Sequence, residues 1–329
     1  MEMLTHTKSS RTYKIKGMKK NTLNVRFASK EEGQMLIQGN TQYYKRLSQV
    51  DIDWRVRKEN ATLDELKTFA KQQVLDFTQE ERELVMSSVN YIKQRLNMIE
   101  CQIPIPEEIV FIKTTMEDEG NASAYTSGNL IFLSDRVLCQ NMSLGCIFGG
   151  GSFVTFGLHI LIAHELFHCL TRHSPKFRQK MYALIGFRVM DNDIEFPEHV
   201  RRMIMANPDV EHIDNYAEFT VNGVKRKCVL ITCYGRSWAE SSALQGKPAR
   251  FFNCTNTFLM PIDDLSTHFA IREASDFWEK MGRNTDYVTA PEECLAVNFS
   301  YAVVLGPHRD YKSPQLIKAI LNALNPQSK

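Results

Sequence analysis

From Thr78 onward, small or apolar residues return every three or four positions. Leu84, Val85, Ser88, Val89, Ile92, Leu96 and Ile99 fall on one side of a helix, and Thr78-Gln79-Glu80-Glu81 ahead of them has the form of a capping box. Ile103-Pro104-Ile105-Pro106 breaks that pattern. Glu108 to Thr114 then reads as a short strand, and Ala122 to Ser134 as a hairpin turning near Ser127-Gly128-Asn129. After the flexible loop Gly149-Gly150-Gly151-Ser152, an apolar run predicts a helix from about Phe153 to about Thr171, closed before Ser174-Pro175. A further helix is expected to reach about Phe187, and Asn207-Pro208-Asp209 marks a turn. Ala217 to Val221, Lys227 to Cys233 and Phe251 to Met260 read as strands, with turns at Gly223 and Gly235.

Pro291-Glu292-Glu293 opens an amphipathic helix carrying Leu295, Ala296, Phe299, Ala302 and Val303. The last helix spans about Pro314 to Leu324. Asn21 to Glu59 reads as short strands between charged turns, and from Thr62 the pattern is helical. There is no internal repeat. The expected class is α+β.

A chain of 329 residues makes two modest domains or one large domain with insertions. With 43% hydrophobic and 24% charged residues it has the composition of a globular protein. A net charge of +2 gives no electrostatic argument for nucleic acid. Residues 1–20 read as a flexible basic leader without the apolar core of a signal peptide. No stretch approaches the ~20 apolar residues of a membrane span; the nearest, Phe153 to Ala163, runs into His164 and Glu165. Eight cysteines without a C-x-x-C pair are expected to be reduced thiols, which disfavours a zinc ribbon. The expected compartment is cytoplasmic, with export lacking a cleavable signal as the other route.

The chemistry concentrates in His164-Glu165-Leu166-Phe167-His168. Residues four apart on a helix share a face at roughly 6 Å, so His164 and His168 can bind one metal ion. Glu165 can reach a water at that ion without ligating it, the H-E-x-x-H arrangement of zinc hydrolysis. A hydrolytic zinc site takes three protein ligands and leaves a fourth position open. Thr171 and Ser174 stand where a metzincin needs glycine and histidine, and His173 points off the shared face. His159 and Cys169 also fall off that face. The third ligand must come from a downstream glutamate: Glu195, Glu198, Glu211, Glu240, Glu292 or Glu293. Of these, Glu293 is followed by small Ala296 and then Phe299, a spacing that lets two helices approach closely.

At these residues the chain resembles the zincin metallopeptidases, in particular the gluzincin type. The hairpin from Ala124-Tyr125-Thr126 to Ile131-Phe132-Leu133 resembles the family's active-site edge strand. His164 to His168 matches its metal helix, and Pro291 to Phe299 resembles its glutamate helix. The resemblance implies a zincin-like core within a single catalytic domain over 21–329, built on a small sheet, an active-site helix and a glutamate helix. It implies Zn²⁺ held by His164, His168 and Glu293, with Glu165 as the base that activates water. Two features depart from the family. Glu293 lies 125 residues after His168, which requires a strand-rich insertion over about 176–286. Val297 stands where the family often has a residue that orients a ligand histidine.

The reaction implied is hydrolysis of peptide bonds in a protein or peptide bound as an added strand along Ala124, Tyr125 and Thr126. His212 is the expected donor to the oxyanion, with Tyr216 as the alternative. Two other readings use the same residues: a catalytically inactive zincin-fold binding module, which would have no use for Glu165, and a non-peptidase zinc amidohydrolase.

Overall fold

Ile109-Val110-Phe111-Ile112 is apolar at every position, as a strand covered on both faces must be. In the computed structural model, which describes residues 23–147, 155–244 and 251–325, this run forms the centre of a five-stranded sheet. The central strand, β3 (Ile109–Thr114), pairs in parallel with β1 (Val25–Phe27) and β5 (Leu130–Ser134), and antiparallel with the two-residue β2 (Val74–Leu75). The outer strand β4 (Ala124–Ser127) folds back on β5 with Thr126 opposite Ile131 and Ser127 opposite Leu130. Gly128 opens the two-residue turn at φ +58°, the conformation that favours glycine there.

A second sheet is antiparallel throughout, in the order β10 (Phe269–Ala270), β9 (Thr255–Pro261), β8 (Val224–Tyr234), β7 (Asn215–Val221), β6 (Arg188–Val189). The stretch read as one strand from Phe251 begins instead with a 3-10 turn over Phe251–Cys254.

The segment read as short strands and charged turns, Asn21 to Glu59, holds only β1 as strand. The remainder of its described part forms three short helices, α1 (Lys30–Gln38), α2 (Thr41–Arg46) and α3 (Gln49–Val56). Local capping favours them: Ser29 accepts from the Glu32 N–H, and Ser48 and Asp51 form a capping box. After α4 (Leu63–Gln73) comes α5 (Gln79–Met98), whose capping box joins Thr78 and Glu81 and whose buried stripe is Val85, Ser88, Val89, Ile92 and Leu96.

Beyond α6 (Asp135–Ile147) lies the motif helix α7 (Thr155–His173), then α8 (Pro175–Ala183), α9 (Glu198–Arg201), α10 (Trp238–Ser242) and α11 (Phe277–Met281). The last two helices are α12 (Pro291–Val304) and α13 (Pro314–Leu324). The basic leader and the loop Gly149 to Ser152 lie outside the described residues.

The main core gathers α5, α7 and α12 against one face of the first sheet. The helix expected to be amphipathic, α12, is buried nearly all round: Pro291 to Ala296, Asn298 to Ser300 and Ala302 to Val304 are all covered. A helix enclosed by other elements has no polar face to show. Among the described residues, no helix is long and apolar enough to cross a membrane.

Candidate metal centre

Two helices build the site. α7 presents His164, Glu165 and His168, and α12 brings Glu292 and Glu293 across to them. Close approach is possible because Ala296 is small and fully buried while the Phe167 and Phe299 rings meet at 5.3 Å. The His164 Nε2 lies 3.1 Å from Glu293 Oε2, and the His168 Nε2 lies 3.6 Å from that same oxygen. The donor atoms of His164, His168 and Glu293 all lie within 4.8 Å of one another. Of the six downstream glutamates, Glu293 is the one grouped with both histidines.

The residue before it does something else. His168 turns its Nδ1 away from Glu293 and donates to Glu292 Oε1 at 3.2 Å. The Thr171 hydroxyl also donates to Glu292 Oε1, and the Tyr182 hydroxyl donates to Glu292 Oε2 at 2.7 Å. Glu292 therefore fixes the imidazole tautomer that leaves Nε2 as a lone-pair donor. The orienting role expected near Val297 is met by Glu292, five residues earlier on the same helix. Asn298, next to Val297, bonds to Asn284 and to the Cys294 carbonyl.

The His168 Nε2 and Glu165 Oε2 are both buried and have no hydrogen-bond partner within the protein. Such atoms are costly to bury unless something else meets them. Two imidazole nitrogens and a carboxylate oxygen suit Zn²⁺ in type and number.

The electrostatics follow from burial and neighbouring charge. Burial pushes the Glu165 carboxyl well above the usual range, and the nearby Asp209 and Glu293 carboxylates add to the rise. For Glu293, burial acts upward, but the His164 hydrogen bond and the nearby His168 imidazole prevail and hold it low. Glu292 is held low in the same way, by His168, Thr171 and Tyr182 against burial. Burial would lower His168, yet Asp209, Glu292 and Glu293 outweigh it and raise its pKa well above 6.5.

His212 stands apart from this group. Its Nδ1 pairs with Asp193 Oδ2 at 3.1 Å, and both side chains are more than half exposed. His173 is exposed, and His159 stacks on the Tyr91 ring at 4.4 Å. Cys169 is buried, which pushes its thiol up to about 12. On the edge strand Ala124 is partly exposed, while Tyr125 and Thr126 are buried.

Three further residues reach the site from loops. Asn207 Nδ2 donates to Glu293 Oε1 at 2.5 Å. Asp209 places a carboxylate oxygen within 4.8 Å of donor atoms of Glu165 and His168. Tyr287 borders a small cavity of about 40 Å³ with Ala124, Asn207 and Asp209. Although Tyr287 is 41% exposed as a residue, burial of its phenol and the charges of Glu293 and Asp209 raise its pKa well above 10. All three lie outside regular elements, where no periodicity marks a residue; the Asn-Pro-Asp turn was the only signal.

No protein-family model, curated protein or solved structure matches the chain.

Proposed function

We propose that the protein is a zinc-dependent peptidase of the zincin kind, hydrolysing peptide bonds in an extended polypeptide. One observation carries the reading: His164, His168 and Glu293 converge on one point, with the buried His168 Nε2 unpartnered and Glu165 beside it. His164, His168 and Glu293 would hold Zn²⁺, with Glu292 orienting His168. When bound there, Zn²⁺ supplies Lewis-acid polarisation of the scissile carbonyl and lowers the pKa of water towards ~7.

The rest of the chemistry belongs to the chain. Glu165 takes a proton from the attacking water and returns it to the leaving amine. Burial raises its affinity for a proton, which favours accepting one from the water. Tyr287 is better placed than His212 to donate to the oxyanion, because it lines a cavity with Ala124, Asn207 and Asp209 while His212 is paired with Asp193 at the surface. The edge strand β4, beside α7, offers backbone groups for an extended substrate.

The test compares wild type with Glu165→Gln on a denatured-protein library. Glu165→Gln should keep one zinc per chain and lose cleavage by about 10²–10⁴-fold. Equal cleavage by both proteins would remove Glu165 as the base, and bound zinc with no cleavage by either the wild type or Asp209→Asn would remove the peptidase reading and favour a binding module.

A further inference from the structure

The segment from Ala206 to Glu211 lies where an added substrate strand would have to run. In the β4–β5 hairpin, the Thr126 N–H points away from β5, and it is a group that a bound polypeptide would use. It donates instead to Asp209 Oδ1 at 2.8 Å, and the Thr126 hydroxyl donates to the same oxygen at 2.6 Å. Asn207 meanwhile occupies Glu293 Oε1. The Asp209 carboxylate lies within 4.8 Å of donor atoms of Glu165 and His168, whose buried Oε2 and Nε2 make no hydrogen bond. The segment thus touches the edge strand, the third ligand and the surroundings of the base at once.

Resting on the metallopeptidase reading, we propose that Asp209 is a built-in fourth ligand and that Ala206–Glu211 is a latch holding the protein in a closed, latent state. A zinc site that works on water needs an open position beside its three protein ligands, and a carboxylate is a good occupant of that position. Filling it with Asp209 excludes water and substrate oxygen together, while the Thr126 contact removes the strand-pairing group.

The cavities support the same assignment. Asn207 and Val210 line one of about 510 Å³, Asp209 and Glu211 one of about 380 Å³, and Pro208 and Glu211 a groove of about 750 Å³. The segment borders all three, so lifting it would open them onto one another. Three arginines hold it down. Arg55 Nη2 donates to the Ala206 carbonyl at 2.7 Å, Arg172 Nη2 to the Pro208 carbonyl at 2.9 Å, and Arg46 to the Val210 carbonyl. Arg172 Nη2 also pairs with Asp209 Oδ1 at 3.8 Å, but Arg46 and Arg55 hold only backbone carbonyls of the segment, so changing the Asp209 carboxylate leaves those two anchors in place.

The test uses the full chain loaded with Co²⁺, whose visible absorption reports coordination, and acetohydroxamate as a probe for an open position. Asp209→Asn keeps an oxygen for Thr126 and removes the anionic donor. It should alter the cobalt spectrum and tighten acetohydroxamate binding by about tenfold or more. Arg46→Ala, which loosens the latch from outside the centre, should tighten the probe in the same direction. Cobalt bound at one per chain with the same spectrum and probe affinity in Asp209→Asn would overturn the latch and leave the metal centre standing. Failure of the wild type to bind cobalt would overturn both.

Discussion

Each residue of an α-helix is turned about 100° from the one before it, so Glu292 and Glu293 address different sides of His168. Glu293 faces the shared point of both histidines, and Glu292 faces the back of one imidazole. Their substitutions should separate accordingly. Glu293→Ala should abolish stoichiometric zinc, whereas Glu292→Gln should weaken zinc affinity by about 10–100-fold, read by chelator competition. Equal losses in both variants would mean that the two carboxylates share the ligand role. Tyr287 and His212 divide in the same manner: Tyr287→Phe should lower kcat by about 10²–10³-fold at unchanged zinc content, and His212→Ala should leave kcat within a few-fold. A collapse in His212→Ala would return the oxyanion to that histidine. Helical spacing makes His164, Glu165 and His168 legible together, whereas Glu293, on another helix, is reached through its spacing to Ala296 and Phe299 and the resemblance to a glutamate helix. The sequence could not reveal the role of Glu292, since adjacent acids at a helix start are already explained by the dipole. Tyr287 and Asp209 act from loops, where proximity depends on tertiary folding.

At the scale of elements, the site depends on how closely α7 and α12 approach. Ala296 has no exposed surface, and a larger side chain there must push the helices apart. Ala296→Leu should cost about 1–3 kcal/mol in metal-free urea unfolding and lower zinc affinity with it, because the same displacement moves Glu293. Unchanged stability would show that the interface has slack. The long helix α5, the β4–β5 hairpin and the final helix could be read beforehand because each carries a strong periodic pattern or a defined cap. The helices α1 to α3 could not, being too short to display several turns of periodicity. For α12 the helix was legible, but its burial on nearly every side was not: that depends on neighbours contributed from all along the chain.

On the scale of the whole molecule, the N-terminal helices are tied to the second sheet through a buried charge network. Arg55, 1% exposed, pairs with Asp51 at 3.1 Å and Glu119 at 3.0 Å, while the Tyr234 hydroxyl of β8 donates to Asp51. Next to Glu119, burial pushes Asp118 up to about 8, with the Glu119 charge adding to it. The folded chain therefore holds this proton more tightly than the unfolded one, whose carboxyl titrates near 3.8. The sign follows: the cost is absent below about 3.8, grows as pH rises, and is complete above about 8. Asp118→Asn should stabilise the metal-free protein by on the order of a few kcal/mol at pH 8 and change little at pH 4, in urea unfolding at both values. Equal effects at the two pH values would contradict it. The candidate metal centre lies elsewhere, where α12 meets α7. The most direct measurement of that centre is an anomalous difference map at the zinc edge from crystals of the zinc-loaded chain. A single peak shared by His164 Nε2, His168 Nε2 and the Glu293 carboxylate is the predicted result; no peak there, or one ligated without Glu293, would contradict the account.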